Sequence, residues 1–90
     1  MKKTFEFSYC LDEVEYIEDM ENITEQEGED IVIKLVKSDE IYVGERTKGR
    51  VSFDDSVQPI VYDVDYEYCS EVGEDWSDDV WEEQKVQVQL

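Results

Sequence analysis

Residues 60–69 read Ile60-Val61-Tyr62-Asp63-Val64-Asp65-Tyr66-Glu67-Tyr68-Cys69, and their alternation is the clearest pattern in the chain. Ile60, Tyr62, Val64, Tyr66 and Tyr68 fall on one side of an extended backbone, and Val61, Asp63, Asp65, Glu67 and Cys69 fall on the other. The segment is a long, half-buried strand, and it makes the protein a sheet protein. Working outward, residues 3–11 alternate in the same way, with Phe5, Phe7, Tyr9 and Leu11 opposite Glu6, Ser8 and Cys10. Residues 85–90 close the chain with Val86, Val88 and Leu90 against Gln87 and Gln89. Residues 30–37 are apolar on both faces and read as a more deeply buried strand. Ile41-Tyr42-Val43 and Val51-Ser52-Phe53 read as shorter strands, set off by turn signals at Ser38-Asp39-Glu40 and Thr47-Lys48-Gly49.

Between the first two strands, Val14, Ile17, Met20 and Ile23 recur at near-helical spacing. Asp12 stands as a candidate N-cap with Glu15 three positions on, and Gly28 as a terminator, which predicts a helix over 13–27. On its outer side Glu15, Glu18, Asp19, Glu21 and Glu25 form an acidic stripe. Residues 74–83 are either a short second helix capped at Ser77 or an acidic loop held by two Trp. The expected fold is α+β: a mainly antiparallel sheet of about five to six strands with one helix packed on it. The 90 residues make a single domain, 1–90.

The chain carries 26 Asp and Glu against 8 Lys and Arg, with no His, for a net charge of −18. Hydrophobic residues at 40% are enough for a core, which argues against wholesale disorder. The charge repels nucleic acid and anionic membranes and favours a basic partner. No apolar run approaches a membrane span, and Met1-Lys2-Lys3 is followed by alternation rather than a signal-peptide core, so a cytoplasmic protein is expected. Cys10 and Cys69, with no second pair and no His, do not make a zinc site; small buried thiols are the simplest reading.

The charge is unevenly placed. Residues 1–30 hold a net −9, residues 51–90 a net −11, and residues 31–50, with Lys34, Lys37, Arg46, Lys48 and Arg50, a net +2. The basic middle is either a counter-charge between acidic flanks or a second contact surface. Asp63, Asp65 and Glu67 stand about 6.6 Å apart along one strand face, comparable with successive phosphates of a nucleic-acid strand. The acidic run continues through Glu71, Glu74, Asp75, Asp78, Asp79, Glu82 and Glu83, with Trp76 and Trp81 as apolar anchors inside it. A calcium loop needs a glycine where Tyr68 stands and a wrapped backbone that a strand does not supply. No nucleophile has a His to activate it, so neither catalysis nor a cofactor is expected.

In size, acidity and mixed pattern, the chain resembles as a class the small DNA-mimic proteins that phages and mobile elements direct against CRISPR nucleases, restriction enzymes and uracil-DNA glycosylase. No motif narrows the likeness further. A compact chain of this length is roughly 30 Å across, and duplex DNA of that length carries about 18 phosphate charges. The resemblance implies a stoichiometric inhibitor occupying the nucleic-acid-binding groove of a host defence protein. Asp63, Asp65, Glu67 and the acids of 71–83 would stand in for phosphates, extended by Glu15, Glu18 and Asp19 and anchored by Trp76 or Trp81. An immunity protein or antitoxin against a basic nuclease toxin, or a structural acidic phage protein, would share this electrostatic character.

Overall fold

A computed structural model describes residues 1–71 and 80–90. They form one antiparallel sheet of five strands, β1 (Lys2–Cys10), β2 (Glu13–Glu21), β3 (Arg46–Asp54), β4 (Tyr62–Glu71) and β5 (Val80–Val88), and one helix, α1 (Glu25–Lys37). The strand order is β2-β1-β3-β4-β5, so β2 and β5 are the edges.

One face of the sheet is apolar. Phe5, Phe7 and Tyr9 of β1 lie opposite Val51, Gly49 and Thr47 of β3, which in turn lie opposite Val64, Tyr66 and Tyr68 of β4. Among the described residues the helix packs mainly over β2 and β1. Gly28 permits the close approach: a Cβ there would stand 3.0 Å from Ile17 Cγ2 and 3.4 Å from Phe5. Residues 38–45 reach the part of the face beyond the helix. Ile41 is buried, the Tyr42 amide donates to Tyr66 Oη at 3.1 Å, and the Tyr42 and Tyr68 rings pack at 4.7 Å. Buried Thr47 accepts from the Gly44 amide at 3.2 Å, so its hydroxyl is satisfied. The opposite face of the sheet is polar and has no layer over it among the described residues.

The structure corrects the expected fold. The order is β-β-α-β-β-β, the sheet has five strands, and strand takes 54% against 16% helix, so the sheet dominates more than the expected helix-packed architecture allows. Residues 13–21 are strand, and the helix lies where a buried strand was expected. Two bulges explain the first exchange. The β1–β2 register slips between Ser8↔Tyr16 and Tyr9↔Val14, and again between Thr4↔Glu21 and Glu6↔Glu18. An inserted residue turns the strand period of two into a spacing of three, so Val14 and Ile17 share the apolar face as they would on a helix. Asp12 is no cap: Leu11 and Asp12, at φ 51° and 66°, form the tight turn between β1 and β2.

The helix has its own signature in Thr24-Glu25-Gln26-Glu27. Thr24 Oγ1 accepts from the Glu27 amide at 3.2 Å, acids occupy the first turn and Lys34 and Lys37 the last. Gly28, Ile31, Val32 and Leu35 are buried at the spacing of one helix face. The β-branched run Ile31-Val32-Ile33 favours a strand by local propensity, and packing of that face overrides it. Ile41-Tyr42-Val43 is loop, Gly49 lies inside β3 rather than in a turn, and β5 begins at Val80, so residues 80–83 are strand and not a second helix. Residues 74–79 of that expected segment lie outside the described residues.

Candidate protein-interaction surface

The alternation of β4 puts Asp63, Asp65 and Glu67 together on the polar face, but between two neighbouring strands that supply counter-charge. Asp65 lies opposite Arg50 on one side and Lys85 on the other, and Glu67 lies opposite Lys48 and Glu83. Lys48 Nζ is 3.2 Å from Glu67 Oε1, and Gln87 Nε2 donates to Asp63 Oδ1 at 2.9 Å. Arg50 reaches the other way and donates to Glu6 Oε1 at 2.6 Å. Trp81 joins this face beneath the cations of β3, with Lys48 Nζ 4.9 Å and Arg46 Cζ 5.5 Å from its ring centre. A shallow depression of about 360 Å³ between Glu6, Tyr16, Lys48, Arg50 and Glu67 marks the middle of this array. The basic residues of 46–50 therefore form a central row with acids on both flanks.

At one end of that array, carboxylate oxygens of Glu6, Glu18 and Asp19 lie within 4.8 Å of one another. The Arg50 guanidinium holds the Glu6 carboxyl below its usual range, with a further hydrogen bond from Asp19 acting in the same direction. Asp19 is pushed up, because its hydrogen bond with Glu6 and the charge of Glu6 both favour its protonated form. Three carboxylates so placed are the described residues able to approach one cation together, and Arg50 already contributes a positive charge there.

The adjoining surface is more acidic, although Glu18 and Asp19 on it stand beside Glu6 and its Arg50 partner. From Asp12 to Asp30 the chain has ten acidic residues and no Lys or Arg. Glu13, Glu15, Glu18, Asp19 and Glu21 are all exposed along the β2 edge, and Glu25, Glu27 and Asp30 are exposed on the adjoining first turns of α1. Among the described residues, Lys3 makes an ion pair with this stretch, its Nζ 3.3 Å from Glu27 Oε2. The same strand exposes two large side chains, Tyr16 and Met20, at 41% each. Glu15, Glu18 and Asp19 thus share a surface, but on an edge strand rather than on the expected helix.

The remaining expected contact residues divide by position. Glu82 and Glu83 lie exposed on β5, and the Tyr68 hydroxyl donates to Glu82 Oε2 at 2.5 Å, which pushes the phenol up to about 12. Glu71 ends β4. Glu74, Asp75, Trp76, Asp78 and Asp79 lie outside the described residues. The sequence reading missed Tyr16 and Met20, the latter assigned to a helix core, and confined the acidic stripe to Glu15, Glu18, Asp19, Glu21 and Glu25 on a helix. The absence of any Lys or Arg across the nineteen positions from Asp12 to Asp30 was the available signal. Both cysteines are thiols rather than a disulfide. No helix among the described residues is long and apolar enough to cross a membrane. No family model, curated protein or solved structure matches the chain.

Proposed function

We propose that the protein is a non-enzymatic DNA mimic that occupies the nucleic-acid-binding surface of a host defence protein, such as a CRISPR effector or restriction enzyme, through its β2–α1 edge. The observation that carries the reading is the run of ten acids without a base from Asp12 to Asp30, nine of them exposed along β2, the turn before it and the first turns of α1. Nine residues of strand extend about 30 Å, so the five acids of β2 stand about one per 6 Å, roughly half the linear density of phosphates on one DNA strand, and Glu25, Glu27 and Asp30 of α1 add to them. A groove lined with Lys and Arg to hold phosphates would meet a row of negative charge here, with Tyr16 and Met20 supplying apolar contact. The row Asp63-Asp65-Glu67 contributes less, since Lys48, Arg50 and Lys85 stand beside it.

The test is a pull-down from host lysate on the immobilised full chain, with washes from about 50 to 200 mM salt and with excess duplex DNA as competitor. The reading expects a nucleic-acid-binding protein whose retention falls steeply with salt and is abolished by DNA. Retention that is indifferent to both excludes mimicry.

A further inference from the structure

We propose that the β5 edge is a self-association surface, on which a second copy of this chain adds its own β5 antiparallel to the first and extends the sheet to ten strands. The sheet has two edges, and they are built differently. β2 carries five acids, two bulges and a left-handed residue, Asp19 at φ 49°, all of which obstruct strand addition. β5 pairs with β4 in unbroken register from Tyr62↔Val88 to Cys69↔Trp81. Among the described residues no other backbone segment bonds to its outer side. An edge that is long, regular and free of Pro presents a row of unpaired backbone donors and acceptors.

The order of side chains on β5 selects the partner. Antiparallel pairing centred on Gln84 sets Glu83 of each copy against Lys85 of the other, Glu82 against Val86 and Trp81 against Gln87. Two opposite-charge pairs form, related by the symmetry axis, and both lie on the polar face. Centring one step of register to either side instead sets Glu83 against Glu83 or Lys85 against Lys85. The arrangement is isologous and closes on itself. Adding β5 to the β2 edge of another copy would meet like charge at Glu82 and Glu83 and would leave an open chain of copies.

Charge also fixes the conditions. Each copy carries −18, and two sheets joined edge to edge have centres about five strand spacings, or ~24 Å, apart. That repulsion is only partly screened at 0.01 M salt, where the Debye length is about 30 Å, and is strongly screened at 0.15 M, where it is about 8 Å. Self-association therefore strengthens with salt, whereas capture of a basic target weakens with it. The two processes respond with opposite sign, so failure of one leaves the other testable.

The experiment is sedimentation equilibrium of the full chain at high concentration, at about 0.01 and about 0.15 M NaCl. The expected result is the 10.7 kDa monomer at low salt and a mass approaching twice that at higher salt. Glu83→Lys removes an acid and adds a base, lowering the net charge to −16, yet it sets like charges opposite each other and is expected to weaken the dimer about tenfold. Lys85→Glu weakens it as well, and the double exchange E83K/K85E, at the original −18, restores it. Gln84→Lys, which sets like charges on the axis, gives an independent reading, and circular dichroism reports that each variant is folded. A monomer at both salts overturns the proposal. So does a dimer that tolerates both single exchanges, or a double exchange that fails to restore it.

Discussion

The β2–α1 edge and the Asp63-Asp65-Glu67 row are both carboxylate arrays on strands, but they sit in opposite electrostatic settings. The row is an interior feature of the polar face, with Arg46, Lys48 and Arg50 running alongside it on β3 and Lys85 on β5. The edge has a neighbouring strand on one side only, and the chain from Asp12 to Asp30 supplies no base of its own. Spacing along a strand therefore says little about how much negative potential a row presents. The identity of the two flanking strands decides it, because a cation at cross-strand distance offsets a carboxylate locally.

The largest expected effect tests this contrast directly. Replacing Glu13, Glu15, Glu18 and Glu21 by Gln is expected to slow association with the captured target about a hundredfold. The triple D63N/D65N/E67Q is expected to slow it only about threefold, as befits charges already paired. Stopped-flow or surface-based association rates measure both, and equal losses would break the comparison. Next in size is Gly49→Ala, since a Cβ there would stand 2.6 Å from the Asp65 carbonyl oxygen and 2.6 Å from Tyr66 Cβ. Moving β3 away from β4 pulls the cation row off its acids, and a loss of about 2 kcal/mol is expected in urea unfolding.

Thr24→Ala removes the acceptor for the Glu27 amide and loosens the helix turn that displays Glu25 and Glu27. About 1 kcal/mol of stability should be lost, with the polar face unchanged by amide exchange. The smallest effect sharpens the paired side. The Ser56 hydroxyl and amide, and then the amino terminus, pull the Asp54 carboxyl down to about 2 from 3.8. A lowered folded-state value means that this group stabilises the fold above pH 3.8 and that the contribution disappears as pH falls toward 2. The melting temperature should decline across that window, and Asp54→Asn should reduce the decline.

Strand content was legible wherever alternation ran without interruption, as in residues 62–69 and 3–10, because a period of two has no helical equivalent. The region 13–37 misled for two physical reasons. Bulges in β2 produced three-residue spacings that imitate a helix, and the β-branched stretch Ile31-Val32-Ile33 concealed a helix whose cap, Thr24 with Glu27, was present in the sequence. Of the interaction surface, the placement of Asp63, Asp65 and Glu67 on one face followed from alternation alone. Their pairing with Lys48 and Arg50 did not, since register between β3 and β4 is a long-range property.

The sequence by itself determined the net charge of −18, the two-sided character of β4 and the base-free stretch from Asp12 to Asp30. These depend on composition and on local backbone period. Only the tertiary structure decided which acids stand beside cations and which line an open edge, because strand order sets every side chain's lateral neighbours and one chain's local pattern does not encode them.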